Sequence, residues 1–288
     1  MVKSITALLV AGALSVSTAQ ASLLYKVTGN DMAEPSYLFG TIHMICAEDF
    51  KVHEQTKAAF AQADRLIMEL DMADPGVLQS MQTKLLDPQG RKLSSHVSEA
   101  QYELLDEFLT STMGTGLTTF DGMRPFILSS MVMTSQLGCA QQMSYEGHFT
   151  QKAMEQQKAV DGLESVDFQF GIFDQIPYQE QVQWLMESLE DKAKAKGELD
   201  KMVRLYVAED MEGLYKMIAD TDAYADYTAL LLDDRNRTWQ QQLDADLQAP
   251  GSEFIAVGAG HLGGNAGIIQ LLKDLGYAVE PVTTQTQD

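Results

Sequence analysis

The strand-like segments of this chain sit at its two ends, with a long helical stretch between them. "SLLYKVTG" (22–29) and "SYLFGTIH" (36–43) flank the turn-prone "GNDMAEP", and "RLIMELDM" (65–72) follows. Strong strand character returns only in "SEFIAVGAGH" (252–261) and "YAVEPV" (277–282). From about 75 to 250 the apolar residues recur at helical spacing, as in "SEAQYELLDEFLTS" and "LDKMVRLYVAEDMEGLYKMI". A sheet made by such a chain must bring its first and last segments together and carry the middle as an insertion. The expected class is therefore α/β (α+β), with a central mixed sheet, βαβ units from both terminal segments and a mostly helical middle region. One short strand-like piece, "KAVDGLES" (158–165), interrupts that middle.

The N-terminal unit is the clearest. Between "SYLFGTIH" and "RLIMELDM" lies "FKVHEQTKAAFAQAD", where Val52, Ala59, Phe60 and Ala63 share a helix face. Strand, helix and strand over so few residues is a βαβ unit with parallel strands. Near the other end, Ile268, Leu271, Leu272 and Leu275 share a face, with Asn265 expected as the N-cap and Gly276 as the closing residue.

Residues 1–21, "MVKSITALLVAGALSVSTAQA", read as a secretory leader. Lys3 gives a positive start, Ile5 to Val16 an apolar core too short to span a bilayer, and Ala19-Gln20-Ala21 a cleavage site. Cleavage after Ala21 leaves one domain over 22–288, in a periplasmic or secreted location, with no membrane insertion of the mature chain. The formal charge is −21, and it becomes −22 once Lys3 is removed. Such acidity argues against nucleic acid or an anionic membrane as partner. The two cysteines, Cys46 and Cys139, are the minimum for a disulfide, which export permits. Two separate thiols remain the alternative. The sixteen methionines scatter over helices as core filler.

Chemistry concentrates at strand ends. Gly40-x-x-His43 and Gly258-x-x-His261 echo one another, each at the end of an apolar strand and before a helix. In open α/β sheets functional groups collect outside the carboxyl ends of strands. Glu69, inside "LIMEL", is an acid in an apolar run and must find a partner there, functional or structural. Two imidazoles and a carboxylate form the ligand set of many hydrolytic metal sites. Of the other histidines, His53 and His96 read as surface residues.

These residues also carry a resemblance. "SYLFGTIHM", "ADRLIMELD", "DGLESVDFQFGIFDQIP", "LLDDRNRTW" and "FIAVGAGHLGGNAGIIQLLKDLGYAVEPV" together resemble the TraB/GumN family, related to the Tiki metalloproteases of animals. The resemblance implies a metal-dependent hydrolase acting on peptide or protein substrates, with manganese or cobalt as the ion and zinc compatible with the ligand set. It makes His43, His261 and Glu69 the metal ligands. It also puts Glu164 and Arg235-Asn236 on family positions, so Glu69, Glu164 and Arg235 are the catalytic candidates. Arg235 would stabilise an oxyanion or pin Glu69, against a plain ion pair on a helix surface. In "SYEGHFTQKA" the family's acidic position falls on Glu146, with His148 close by.

Three rivals remain. Gly258-x-Gly260-x-x-Gly263, with Glu280 downstream, matches a dinucleotide-binding pattern. Export removes the chain from the usual nicotinamide pool, and a tight turn beside His261 explains the glycines better. A periplasmic binding or sequestering protein for peptide, metal or haem could use the same histidines without turnover. A metal-free hydrolase could use one histidine as general base.

Overall fold

The computed structural model describes residues 22–221 and 225–283, so the leader expected over 1–21 lies outside them. The strands are β1 (Leu24–Thr28), β2 (Ser36–Thr41), β3 (Ile45–Cys46), β4 (Arg65–Met68), β5 (Gln142–Met143), β6 (Ala159–Gly162), β7 (Glu253–Gly258) and β8 (Ala278–Pro281). Six of them form one mixed sheet in the order β6-β4-β7-β2-β1-β8. From β6 to β2 the strands run parallel, and β1 runs antiparallel to both β2 and β8. The α/β class with a mixed sheet and a helical middle is as the sequence implies.

The strand neighbours differ from the simplest reading. β2, the helix Glu54–Gln62 and β4 are the expected unit, but β7 lies between the two strands and pairs with both. The cause is burial. β2 is buried along its whole length, and β7 at every position but Gly258. Strands covered on both faces gain most from the centre of a sheet, and their near-continuous apolar runs reflect it. The short β6, from the helical middle, takes the edge beside β4. A second difference concerns the helix Ile268–Asp274, whose N-cap is Gly267 and not Asn265. A turn closed by Gly267 N–H donating to Gly264 O comes first, so the helix begins later.

One core wraps the sheet, with Phe39, Phe60, Phe149 and Phe254 meeting at ring separations of 4.9 to 5.9 Å. A second core belongs to the helical middle, where Leu105, Leu109, Leu128, Val132, Leu185 and Met186 pack together. The helix Glu99–Met113 that feeds it starts with a Ser98/Gln101 capping box. Leu70, Val166 and Phe170 form a smaller cluster.

At the amino ends of β4 and β7, Arg65 faces three carboxylates. Its Nε and Nη2 donate to Glu253 at 2.9 and 3.0 Å, Nη1 to Asp161 at 2.9 Å, and Nη2 also to Asp246 at 2.9 Å. Glu253 is buried and opposite Arg65 in the register, so this cation holds the lower end of the sheet together.

Cys46 and Cys139 are joined, with Cα atoms 5.8 Å apart, which resolves the alternative of two separate thiols. The bond staples a ribbon of only two residue pairs, Ile45 with Met143 and Cys46 with Gln142. That ribbon connects the segment after β2 to the one leading into the helix Tyr145–Glu155. Closing so long a loop is expected to contribute about 2–4 kcal/mol. The Cys139→Ser variant should unfold at correspondingly lower urea, and an unchanged midpoint would refute a stapling role. Among the described residues no helix is long and apolar enough to cross a membrane.

Candidate functional site

The four parallel strands each deliver one titratable group just past the carboxyl end. β6 ends at Gly162, two residues before Glu164; β4 ends at Met68, directly before Glu69. β7 ends at Gly258, three residues before His261; β2 ends at Thr41, two residues before His43. Across the sheet they therefore stand in the order Glu164, Glu69, His261, His43. Two glycines allow this crowding. A Cβ on Gly258 would come within 3.2 Å of Glu69 Oε1, to which the Gly258 N–H donates at 2.9 Å. A Cβ on Gly40 would meet Leu262, Met211 and Ala259 at 3.0 to 3.2 Å, so its absence lets β2 lie against the turn that holds His261.

Arg235 joins them from the helix Asp234–Gln248. Its guanidinium is buried. Nη2 donates to Glu69 Oε2 at 2.6 Å and to Glu164 Oε1, Nε to Glu164 Oε2 at 3.2 Å, and Nη1 to His261 Nε2 at 2.9 Å. It also sits 4.9 Å from the Trp239 ring centre. Arg235 thus pins Glu69 and Glu164 together, and the alternative of a surface ion pair does not hold. A π-helical turn, Ala229–Asp233, precedes it, and Nη1 also donates to Leu231 O at 3.2 Å. Such turns often mark functional positions in helices.

The state of His261 follows from its neighbours. Asn236 Nδ2 donates to the carbonyls of His261 and Ala266, at 3.1 and 2.9 Å. Its Oδ1 is therefore the atom facing His261 Nδ1 at 2.7 Å, and it can only accept. The proton is on Nδ1, and the Nε2 lone pair is turned into the cluster. Burial, aided by the positive charges of Arg235 and His43, pushes the imidazole down to about 3. Glu69's charge resists without prevailing, so the ring is neutral.

His43 is held in the opposite sense. Its Nδ1 lies 2.9 Å from Glu146 Oε1, which also accepts from Thr41 Oγ1 at 2.7 Å. The hydrogen bond to Glu146 is the largest cause raising His43 to about 9, assisted by the charges of Glu146 and Glu69 and opposed by that of Arg235. The side chain remains 77% exposed, so water screens much of this pairing. Because the folded pKa is raised, the contribution to stability is fully present below the ordinary 6.5 and is lost as pH rises through 9. In Glu146→Gln, the His43 ring signal in NMR should titrate with a midpoint moved from about 9 toward 6.5. An unmoved midpoint would show that Glu146 is not its partner in solution.

The two central carboxylates also diverge. Burial alone would raise Glu69, but Arg235 first, with His43 and the Gly258 N–H, holds it well below the usual carboxylate range. For Glu164, whose side chain is only 1% exposed, burial outweighs Arg235 and the pKa rises. Gln169 Nε2 bridges them, at 3.2 Å from Glu69 Oε2 and 2.9 Å from Glu164 Oε1. Trp239 Nε1 donates to Glu164 Oε2 at 3.1 Å.

Of the five residues singled out in the sequence, Glu69, Glu164, Arg235 and His261 form one hydrogen-bonded cluster, and His43, on the neighbouring strand end, pairs with Glu146. His148 does not join it and packs edge-on against Phe50 and Phe149 at 5.4 Å. Gln169 and Trp239 were not foreseen. Trp239 carried a signal, since it lies four residues after Arg235 on the same helix face.

Asn236 fixes the tautomer of His261, and as residue types two imidazoles and an ionised carboxylate suit a divalent ion in kind. Their arrangement does not. Arg235 occupies the His261 lone pair and one oxygen of Glu69, while Glu69 Oε1 stands 3.8 Å from His261 Nε2. Among the described residues no three His, Cys, Asp or Glu side chains are grouped to hold a metal ion.

Comparison with known proteins adds two findings. The model of the TraB/PrgY/gumN family matches residues 23–281. Metalloprotease TIKI1 of Xenopus tropicalis is 35% identical over 77 residues, 26% of this chain and 15% of the relative's length. No solved structure matches.

Proposed function

The chain belongs to the TraB/PrgY/gumN family, and from that premise we propose that it is an exported peptide hydrolase working at the His43, Glu69, Glu164, Arg235 and His261 cluster. The observation that carries this reading is the division of protonation states at the carboxyl ends of four parallel strands. His261 is neutral with its lone pair inward, His43 keeps its proton, Glu69 stays ionised and Glu164 is pushed toward its protonated form. Groups whose neighbours drive their pKa values apart are suited to giving and taking protons in turn.

In this reading, Glu146 holds the His43 ring in place at the exposed rim. Arg235 keeps Glu69 and Glu164 side by side, and Asn236 fixes the tautomer of His261. The divalent ion implied by family resemblance, manganese, cobalt or zinc, would be held by His43, His261 and Glu69, and it would supply a more acidic water and a polarised carbonyl. A cavity of about 550 Å³, lined by Met72, Ser144, Gly147, Thr150 and Met154, adjoins Glu146 and offers room for substrate side chains. The leader over 1–21 and the Cys46–Cys139 bond support a periplasmic or secreted location. Residues 22–288, with the helical insertion at about 75–250, act as one domain.

The test is digestion of a broad peptide library by the purified mature chain, with added manganese or cobalt and with chelator, read by mass spectrometry. New peptide termini that vanish with chelator support the reading. Peptides retained uncut would make the protein a binder, and cleavage indifferent to chelation would remove the metal from the account.

A further inference from the structure

The cavity beside Glu146 is formed mostly by one stripe of a single helix. Gly147, Thr150, Gln151 and Met154 recur at helical spacing on the helix Tyr145–Glu155, and Met72, in the segment after Glu69, adds to the apolar lining. Resting on the hydrolase reading, which names no class of residue, we propose that this cavity is the subsite that selects the substrate, and that it takes an uncharged apolar side chain of a peptide, such as leucine.

Three observations carry it. First, the polar side chains of the lining already have partners. Glu146 accepts from Thr41 and Ser144 at 2.7 and 2.9 Å, and it lies 2.9 Å from His43 Nδ1. Glu155 accepts from Gln151 at 2.9 Å and from Lys152 at 2.7 Å, while the Thr150 hydroxyl donates to Met68 Sδ at 3.8 Å. With both carboxylates matched, the cavity complements a neutral group, and a lysine or aspartate side chain entering it would lose water without gaining a free partner. Second, apolar surface is left for a guest to cover. Met154 is 63% exposed at the end of the stripe. Methionine is flexible and polarisable, so Met72 and Met154 can adapt to apolar chains of differing shape. Third, Gly147 keeps the room open. A Cβ there would meet only Ser144 Cβ and Oγ, at 3.7 and 3.8 Å, so a larger side chain would grow into the cavity and not into packed atoms. Glycine is a poor helix residue, and its place on this stripe is explained by the room it leaves.

The probes are the N-acetyl amides of leucine, lysine and aspartate, added to the mature chain isotopically labelled at its methionine methyl groups. NMR reads Met72 and Met154, whose signals are assigned with Met72→Leu and Met154→Leu. The leucine amide should move both signals and bind about tenfold more tightly than the other two, the scale of burying one apolar side chain. Gly147→Phe fills the cavity from a helical backbone position and should abolish the shift at Met72. Met154→Gln, which changes an exposed side chain, should weaken binding about threefold as read at Met72, and it serves if the Phe variant folds poorly. Equal binding of the three amides, no shift with any of them, or binding unchanged in both variants would overturn the proposal. Leucine binding by a chain that leaves the peptide library uncut would sink the hydrolase reading and leave the cavity as the recognition site of a binder. A library cut with no excess of apolar residues near the new termini would do the reverse, overturning the subsite and leaving the hydrolase standing.

Discussion

His261→Ala should lower kcat/KM for any cleaved peptide by about 10³-fold, more than the roughly 10–100-fold cost of losing an outer partner, because it removes a residue that would itself hold the ion. The loss should be graded along the chain of support. Asn236→Ala, which frees the ring to change tautomer, should cost about 10–100-fold, as outer partners of histidines do. Because Ala opens a hole beside Trp239, whose ring lies 4.6 Å from the imidazole, His261→Gln is the companion variant. A pH series separates chemistry from stability. His261 is held down to about 3, so the unfolded chain binds a proton that the native one refuses between that value and the ordinary 6.5. Stability therefore falls as pH drops through this window, with a slope of about one proton. His261→Gln should remove that proton from the urea-unfolding slope. Full activity in both variants would place the chemistry elsewhere.

Arg65→Met should destabilise the protein by about 3 kcal/mol while leaving turnover per folded molecule unchanged. The figure is the low end for breaking a buried ion pair, because Arg65 keeps 26% of its side-chain exposure. What it would strand is Glu253, buried at the start of β7, together with Asp246 and Asp161. Urea unfolding reads the loss, and added Co²⁺ should not restore it. A cost below about 0.5 kcal/mol, the range of surface substitutions, would show that the three-carboxylate arrangement adds nothing. Arg65 and Arg235 are chemically similar hubs at opposite ends of the same strands, one for cohesion and one for the site.

The sequence disclosed the parts of the site better than their partners. His43, Glu69 and His261 were legible because a polar group closing an apolar run stands out locally. The position of β7 between β2 and β4 was not, since an apolar strand advertises burial and not the identity of its neighbours. The bond between His43 and Glu146 joins segments about a hundred residues apart, brought together by the Cys46–Cys139 ribbon and by Phe39 against Tyr145 and Phe149, and no local pattern encodes it. Arg235 was ambiguous because its helix reads as polar overall. Yet Arg235, Trp239, Leu243 and Leu247 recur every fourth residue and are all buried, a stripe on which a charge must be paired inside.

The place of β7 has a consequence for how the protein is made. Thr41 pairs with Gly258, and β4 also needs β7, so the centre of the sheet is missing until the last segment arrives. Until then β2 and β4 each offer an open edge, and neither His261 nor the Gly258 N–H that holds Glu69 is present. Long-range pairing of this kind folds slowly. During synthesis the chain cannot assemble its chemistry early. Late arrival of one strand thus makes the site one of the last things the chain can complete.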